Sequence, residues 1–485
     1  VVELTRAGEQ GELLEAEILL DRHDYAAAKA KAMEVATETP WIADANKLAA
    51  DAVYASAVAD LDVGAYDAAR TQLDEASQLY ARAAEIARSD AGLHEARAMV
   101  LLKRAEIDQR QNRDSKSALD QAGGAIDRAI VADPRSESAY TTKAYILLQR
   151  SRTSVDGDDR RPALDAAADA AERALALDGT DAGAWDTLGN AHVVRGAYEQ
   201  RHGGAGEAWW RRAIREFEQA LELRPDDPWA NNDLGIARRW LANLTAATSG
   251  DPLPEYRAAL DAYRRARTID PSYLYAWSNE ADLFAQLAEY QLDAGADPRV
   301  SAQQAIEAAE HGLALDPHLV TLLWGAADGA LVEATYRVHH RADPTAAISS
   351  ARRYLERADR VRPGDAQTLA YRAIAARLEV EWDPKRSLAD VRAADAKLLA
   401  VAPDASTWGE LAQLALDLGN LDAARHDLAM AHTEDDSTLD TLAAEVELAA
   451  HERAAGLAFA ERAVAEAPHS ARARAVRDAL LATQR

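Results

Sequence analysis

The stretch ALELRPDD at residues 220–227 decides the fold, because three later stretches repeat its pattern. They read ARTIDPSY at 266–273, LALDPHL at 313–319 and ADRVRPGD at 358–365. Each contains a proline, and successive prolines lie 46 residues apart, at Pro225, Pro271, Pro317 and Pro363. Proline lacks a backbone N–H and clashes with the preceding helical turn, so each of these prolines ends a helix. A helix end that returns at a fixed interval predicts an array of helical repeats.

Two helices fill each repeat. Before Pro225 the apolar residues follow helical spacing, as in Ala213, Phe217 and Ala220. After each stop comes a longer amphipathic run, which predicts first helices at 184–200, 230–245 and 274–293. No run alternates apolar and polar residues as a half-buried strand would. We therefore predict an all-α protein without strands.

The repeat resembles the tetratricopeptide repeat (TPR). That family pairs an aromatic residue and Leu-Gly in the first helix with a small residue, a large residue and Ala in the second, before a closing Pro. The matching residues here are Trp185, Leu188, Gly189, Ala213, Phe217, Ala220 and Pro225. The family unit has 34 residues, so most repeats here carry about a dozen more, at the end of the first helix and in the following loop.

The resemblance implies a TPR-like α-solenoid, a right-handed superhelix of about ten or eleven antiparallel helix pairs. We expect the array to occupy residues 1–470, with the longer repeats reaching about residue 363 and shorter ones following. Residues 471–485 are then a C-terminal capping helix and tail. Such arrays bind protein or peptide partners, and the resemblance implies the same role here.

A narrower resemblance concerns the context of the array. Its 46-residue repeats, with an Asp-Pro-Arg loop and an A-L-x-L-x-P ending, are similar to TPR arrays that follow the catalytic domain of bacterial Ser/Thr protein kinases of myxobacterial type. No Gly-rich phosphate loop, H-R-D or D-F-G motif occurs in these residues. The expected function is therefore a non-catalytic signalling scaffold. The alternative is a ligand- or peptide-sensing regulatory array attached to a different effector enzyme.

Composition excludes several other classes. The 55 Lys and Arg against 81 Asp and Glu give a net charge of −26, which argues against nucleic-acid binding. There is no cysteine and no apolar run long enough for a transmembrane helix. We predict no catalytic, cofactor-binding or metal-binding residues. The cytoplasm is the expected compartment, and the periplasm is the alternative if a transmembrane helix precedes residue 1 in a longer parent protein.

The candidate binding surface lies on the first helices, where solenoids of this family hold peptides. Residues 4, 7 and 11 positions after each stop share one face of a first helix. Asp186 and Asn190 belong to this stripe after the stop at Gly179. The predicted partner-binding residues in the middle repeats are Trp229, Asn232, Tyr275, Asp282, Trp324 and Asp328. Their carboxylates favour a basic peptide, whereas the alternative is that the aromatics pack between repeats.

Overall fold

A computed structural model describes residues 2–111, 113–153, 159–248, 250–383, 385, 388–401, 405–431, 437–466 and 471–482. Within these ranges the chain forms twenty-three α-helices and no strand. It divides into two compact bodies, which we call the N-terminal body (Val1–Ile269) and the C-terminal body (Asp270–Arg485). The predicted all-α class is therefore confirmed.

The N-terminal body contains twelve of these helices. They are α1 (Val2–Asp21), α2 (Tyr25–Glu38), α3 (Ala43–Asp62), α4 (Tyr66–Ile86), α5 (Ala91–Arg110), α6 (Lys116–Ala132), α7 (Glu137–Arg152), α8 (Arg161–Leu177), α9 (Ala182–Arg201), α10 (Glu207–Leu223), α11 (Pro228–Ala247) and α12 (Leu253–Ile269). Each odd-numbered helix packs on the even-numbered helix that follows it. First helices of successive repeats are also in contact: α7 contacts α9, and α9 contacts α11.

The C-terminal body contains the other eleven. They are α13 (Leu274–Asp293), α14 (Arg299–Leu315), α15 (Val320–His339), α16 (Thr345–Val361), α17 (Ala366–Trp382), α18 (Leu388–Val401), α19 (Ala405–Asp417), α20 (Leu421–Ala431), α21 (Ser437–Ala449), α22 (Arg453–Glu466) and α23 (Ala471–Ala482). Here too the helices pack as consecutive pairs, α13 contacts α15, and α15 contacts α17. Eleven pairs and one further helix match the expected number.

In the long repeats the first helix is longer than the second. In α9, α11, α13 and α15 the first helix has 20 residues, whereas the second helices α10, α12, α14 and α16 have 17. The bounds of α13 coincide with the predicted 274–293, while α9 and α11 extend slightly beyond their predicted ranges. The predicted boundary at residue 470 falls outside the described residues.

Small residues allow the helices of a pair to approach closely. A Cβ added at Gly189 would lie 2.7 Å from the ring of Phe217, and one at Gly235 would lie 2.5 Å from the ring of Tyr263. Both rings are fully buried, so they cannot move aside without disturbing the core. Alanine is the commonest buried residue in both bodies. The excess of alanine therefore reflects close packing between helices.

No helix in the described part of the chain is both long enough and apolar enough to span a membrane.

Candidate partner-binding surface

Local capping fixes where the first helices of the N-terminal body begin. Asp181 caps α9 by accepting hydrogen bonds from the backbone N–H groups of Gly183 and Ala184 at 2.9 and 3.1 Å. Its other carboxylate oxygen accepts from the hydroxyl of Thr141 on α7 at 2.7 Å. Asp227 caps α11 in the same way, with Pro228 in the first turn. These caps set the start of each helix, and with it the face on which each later residue lies.

A linked group of polar side chains joins α7, α9 and α11 across this surface. The guanidinium of Arg152 donates to the amide oxygen of Asn190 at 3.4 Å. The amide nitrogen of Asn190 donates to Asp233 at 2.6 Å and to the side chain of Asp186 at 3.3 Å. One asparagine amide therefore bridges two carboxyl groups from neighbouring repeats. We call these two residues the Asp186–Asp233 pair.

Both carboxyl groups of the Asp186–Asp233 pair hold protons more tightly than an exposed aspartate. Burial raises the pKa of Asp186 well above its ordinary value, and the nearby charge of Asp233 raises it further. Burial also raises the pKa of Asp233, against the lowering effect of hydrogen bonds from Asn190 and Asn232. The Oδ1 atom of Asp186 is enclosed and has no hydrogen-bond partner among the described residues. One of the four carboxyl oxygens of the pair, Oδ1 of Asp186, thus lacks a donor in the described part of the chain.

The two predicted residues on α11 differ in exposure. Trp229 is 59% exposed and lies in the first turn, where its backbone N–H donates to Asp227 at 2.9 Å. Asn232 is buried, and its amide donates to Asp233 at 2.9 Å. Trp229 is therefore available as a contact residue, whereas Asn232 positions a carboxylate.

In the C-terminal body, Asp328 on α15 is the centre of a second polar group. It is 8% exposed and accepts a hydrogen bond from the hydroxyl of Tyr371 on α17. Burial and the nearby carboxylate of Glu289 on α13 raise the pKa of Asp328 to about 7, although the Tyr371 hydrogen bond opposes the change. Burial and the charge of Asp328 also raise the pKa of Tyr371. The predicted stripe thus contains an aspartate that titrates near neutrality.

The structure packs Trp324 between repeats. Its indole N–H donates to the hydroxyl of Thr368 on α17 at 2.9 Å. Its ring lies against a buried apolar cluster that includes Leu323 and Leu355, and Arg362 lies 6.0 Å from the ring centroid. Trp324 therefore joins α15 to α17, as the packing alternative expects.

Tyr275 and Asp282 lie on α13. Tyr275 is 49% exposed and meets the ring of Tyr273 edge-on at 5.9 Å. Asp282 is partly buried and accepts from the side chain of Gln286 at 3.3 Å. The six predicted residues are thus divided: Trp229 and Asn232 belong to the N-terminal body, and the other four to the C-terminal body.

Four residues of the two polar groups were missed by sequence reasoning. They are Arg152, Asp233, Glu289 and Tyr371. Asp233 and Tyr371 lie 8 positions after the stops at Pro225 and Pro363. Arg152 and Glu289 lie 18 positions after Pro134 and Pro271. Their signal is the interval of 43 residues that separates Asn190 from Asp233 and Asp328 from Tyr371.

Among the described residues, no group of three or more His, Asp or Glu side chains is arranged to hold a metal ion.

The fold defines this chain as an all-α helical repeat protein. No protein-family model matches the sequence, and no curated protein matches it. Solved structures do resemble it. The APC/C hetero-tetramer Cut9-Hcn1 aligns over 98% of this chain and 96% of its own, at 14% identity and a TM-score of 0.41.

Two further structures are described as TPR proteins. YrrB, a TPR protein with an unusual peptide-binding site, aligns over 52% of this chain and 98% of its own, at 17% identity and a TM-score of 0.32. A tetratricopeptide repeat protein from Parabacteroides merdae aligns over 60% of this chain and 98% of its own, at 14% identity and a TM-score of 0.39. Similarity of this degree does not assign a function.

Proposed function

We propose that this chain is a non-catalytic scaffold that binds peptide segments of partner proteins on the first-helix surfaces of its repeats. The observation that supports it most is Trp229, a large aromatic side chain that is 59% exposed and lies one helical turn before Asp233 of the partly buried Asp186–Asp233 pair. Exposed aromatic residues next to enclosed polar groups are typical of interface hot spots.

The proposed partner carries basic segments. The chain has a net charge of −26, and partly exposed carboxyl groups recur on the first helices at Asp186, Asp233 and Asp282. Opposite charge accelerates the encounter of two partners and excludes acidic competitors. The association is therefore expected to weaken with added salt.

We further propose that the chain is the TPR region of a bacterial signalling protein such as a Ser/Thr kinase. Its support is the 46-residue repeat and its Asp-Pro-Arg loop. Reading the gene upstream of residue 1 tests this part: a kinase catalytic domain supports it, and another effector domain contradicts it in favour of the sensing alternative.

A peptide array tests the binding role. The full chain is applied to immobilised peptides of varied sequence, and binding is compared with that of Trp229→Ala. The matched control is Trp41→Ala, because Trp41 is a 67% exposed tryptophan between α2 and α3 of the same body. We expect Trp229→Ala to reduce binding at least about tenfold and Trp41→Ala to leave it unchanged, because central aromatics dominate such interfaces. Equal binding by all three proteins, or binding by none, contradicts the proposal.

A further inference from the structure

The charge of Arg152 compensates the Asp186–Asp233 pair only in part, because the pKa of both aspartates stays raised although Arg152 lowers it. No lysine or arginine in the described part of the chain forms an ion pair with either carboxylate. Arg152 instead donates to the amide oxygen of Asn190 at 3.4 Å. The hydrogen bonds that the pair does receive come from the amides of Asn190 and Asn232. Neutral donors stabilise a carboxylate less than a charged donor does.

An unused acceptor lies in the same place. The Oδ1 atom of Asp186 is enclosed, yet no described group donates to it. A buried acceptor without a donor destabilises the fold, and more so when it is charged. Most enclosed side-chain acceptors in folded proteins have a partner, so an exception calls for an explanation.

The surroundings fit a long cationic side chain. Asp186 and Asp233 both keep part of their surface exposed, so a group from outside the chain can reach them. Trp229 lies one helical turn before Asp233 on α11, on the same face of the helix. A tryptophan ring beside a carboxylate pair can cover the aliphatic part of an arginine or lysine and attract its charge.

We propose that the Asp186–Asp233 pair, with Trp229 beside it, is the binding site for an arginine or lysine side chain of a bound peptide. This inference rests on the proposed binding role and specifies the chemistry of the partner. The cation would donate to both carboxyl groups and supply the donor that Oδ1 of Asp186 lacks. Its charge would also remove the repulsion between two carboxylates that share one asparagine amide.

Proton binding then competes with peptide binding. The groups that face the pair are Arg152 and Tyr145 on α7, Asp227 before α11, and the two aspartates themselves. Since burial raises the pKa of both aspartates, each holds its proton to a higher pH than usual. A cation binds the deprotonated form, so affinity should rise as the pH is raised through their titration and one proton should leave for each carboxyl that was protonated.

The test uses the full chain and two labelled probes, a tetra-arginine peptide and the tetra-citrulline peptide of the same shape without charge. Fluorescence anisotropy at about 150 mM salt gives the affinity of the chain and of Asp186→Asn and Asp233→Asn. The control is Asp169→Asn, which removes the same charge from an exposed position on the second helix α8. Thermal unfolding of each variant shows that it is folded.

We expect the chain to prefer tetra-arginine to tetra-citrulline and each variant of the pair to bind tetra-arginine at least about tenfold more weakly, with Asp169→Asn unchanged. Because each substitution removes a buried charge, melting temperatures should stay equal or rise, so the loss cannot come from unfolding. Equal weakening by Asp169→Asn would show attraction by net charge alone and overturn the site. If the peptide array finds binders but the variants of the pair bind them and tetra-arginine as the unmodified chain does, this inference fails and the proposed function stands.

Discussion

Replacing Asp328 with asparagine should stabilise the C-terminal body at alkaline pH. Asp328 is 8% exposed and has its pKa raised to about 7 from an ordinary value of 3.8, first by burial and then by the charge of Glu289. Asparagine has the same shape and no charge to bury. Its carbonyl can accept the hydrogen bond from Tyr371, and its amide can donate toward Glu289.

The magnitude follows from the difference between the folded and unfolded pKa. Between about pH 4 and about pH 7 the folded protein keeps a proton that the unfolded chain has released, so the free energy of unfolding falls as the pH rises. Each pKa unit corresponds to about 1.4 kcal/mol, and about three units give roughly 4 kcal/mol as the upper limit at about pH 8. At about pH 4 the unfolded chain still holds the proton in part, so the aspartate costs less than about 1 kcal/mol there.

Native-state hydrogen exchange resolved by peptide is the appropriate assay, because the repeats of an array open locally. After correction for intrinsic exchange rates, α15 and α17 of Asp328→Asn should be better protected than in the unmodified chain at about pH 8, and the gain should be much smaller at about pH 4.5. Glu356→Gln on the exposed face of α16 is the control and should change protection at neither pH. Lower protection of Asp328→Asn at the higher pH would refute the reasoning, since it would mean that the charged aspartate stabilises the fold.

Three other predictions follow from packing and composition. Trp324→Ala should lower the melting temperature by several degrees, since it removes the bond to Thr368 and a ring packed between repeats. Trp229→Ala should change the free energy of unfolding by less than about 0.5 kcal/mol. A larger loss of stability for Trp229→Ala than for Trp324→Ala in calorimetry would contradict the packing of Trp324 between repeats. Gly189→Ala should lower the free energy of unfolding by about 1–3 kcal/mol, because the added methyl group crowds Phe217. Hydrogen-exchange protection should be lost in α9, α10 and their neighbours, and a uniform loss along the chain would contradict an array in which each repeat contacts only its neighbours. The purified chain should show no transfer of phosphate from Mg-ATP, because the sequence lacks the residues that hold nucleotide and metal, and turnover abolished by a single substitution would contradict this.

The helices could be predicted from the sequence because their ends depend on local chemistry. A proline stops a helix by its own geometry, whatever packs around it, so Pro225 and Pro271 place two helix ends without any tertiary information. The bounds of α13 follow in the same way. Gly189 could likewise be assigned to a close helix crossing, because a small residue opposite a large one fits the spacing of the family pattern.

The polar groups could not be predicted to the same extent, because they form between helices of different repeats. Asp186, Asn190 and Asp328 lie on the predicted stripe, yet their partners Asp233 and Tyr371 lie on the next first helix at a different offset. That offset depends on how each helix is rotated against the one before it, which small changes in side-chain packing decide. For the same reason the sequence left Trp324 with two alternatives, and only the contact with Thr368 distinguishes them.

The two polar groups use the same positions of the repeat with different residues. The amide of Asn190 in the N-terminal body and the carboxyl of Asp328 in the C-terminal body both follow a stop by 11 residues, and each meets a partner 43 residues later. Before them along the chain stand Arg152 in one case and Glu289 in the other, each 18 residues after its own stop. The repeat therefore brings together three positions, 18, 11 and 8 residues after a stop, on three successive first helices. The residues at these positions decide the local charge. In the N-terminal body Arg152 donates to the amide of Asn190 and forms no ion pair with the Asp186–Asp233 pair, so a cation from outside can bind the pair. In the C-terminal body the charge of Glu289 acts on the buried Asp328, which therefore retains a proton to a higher pH. One repeated geometry thus provides two polar groups with different chemistry.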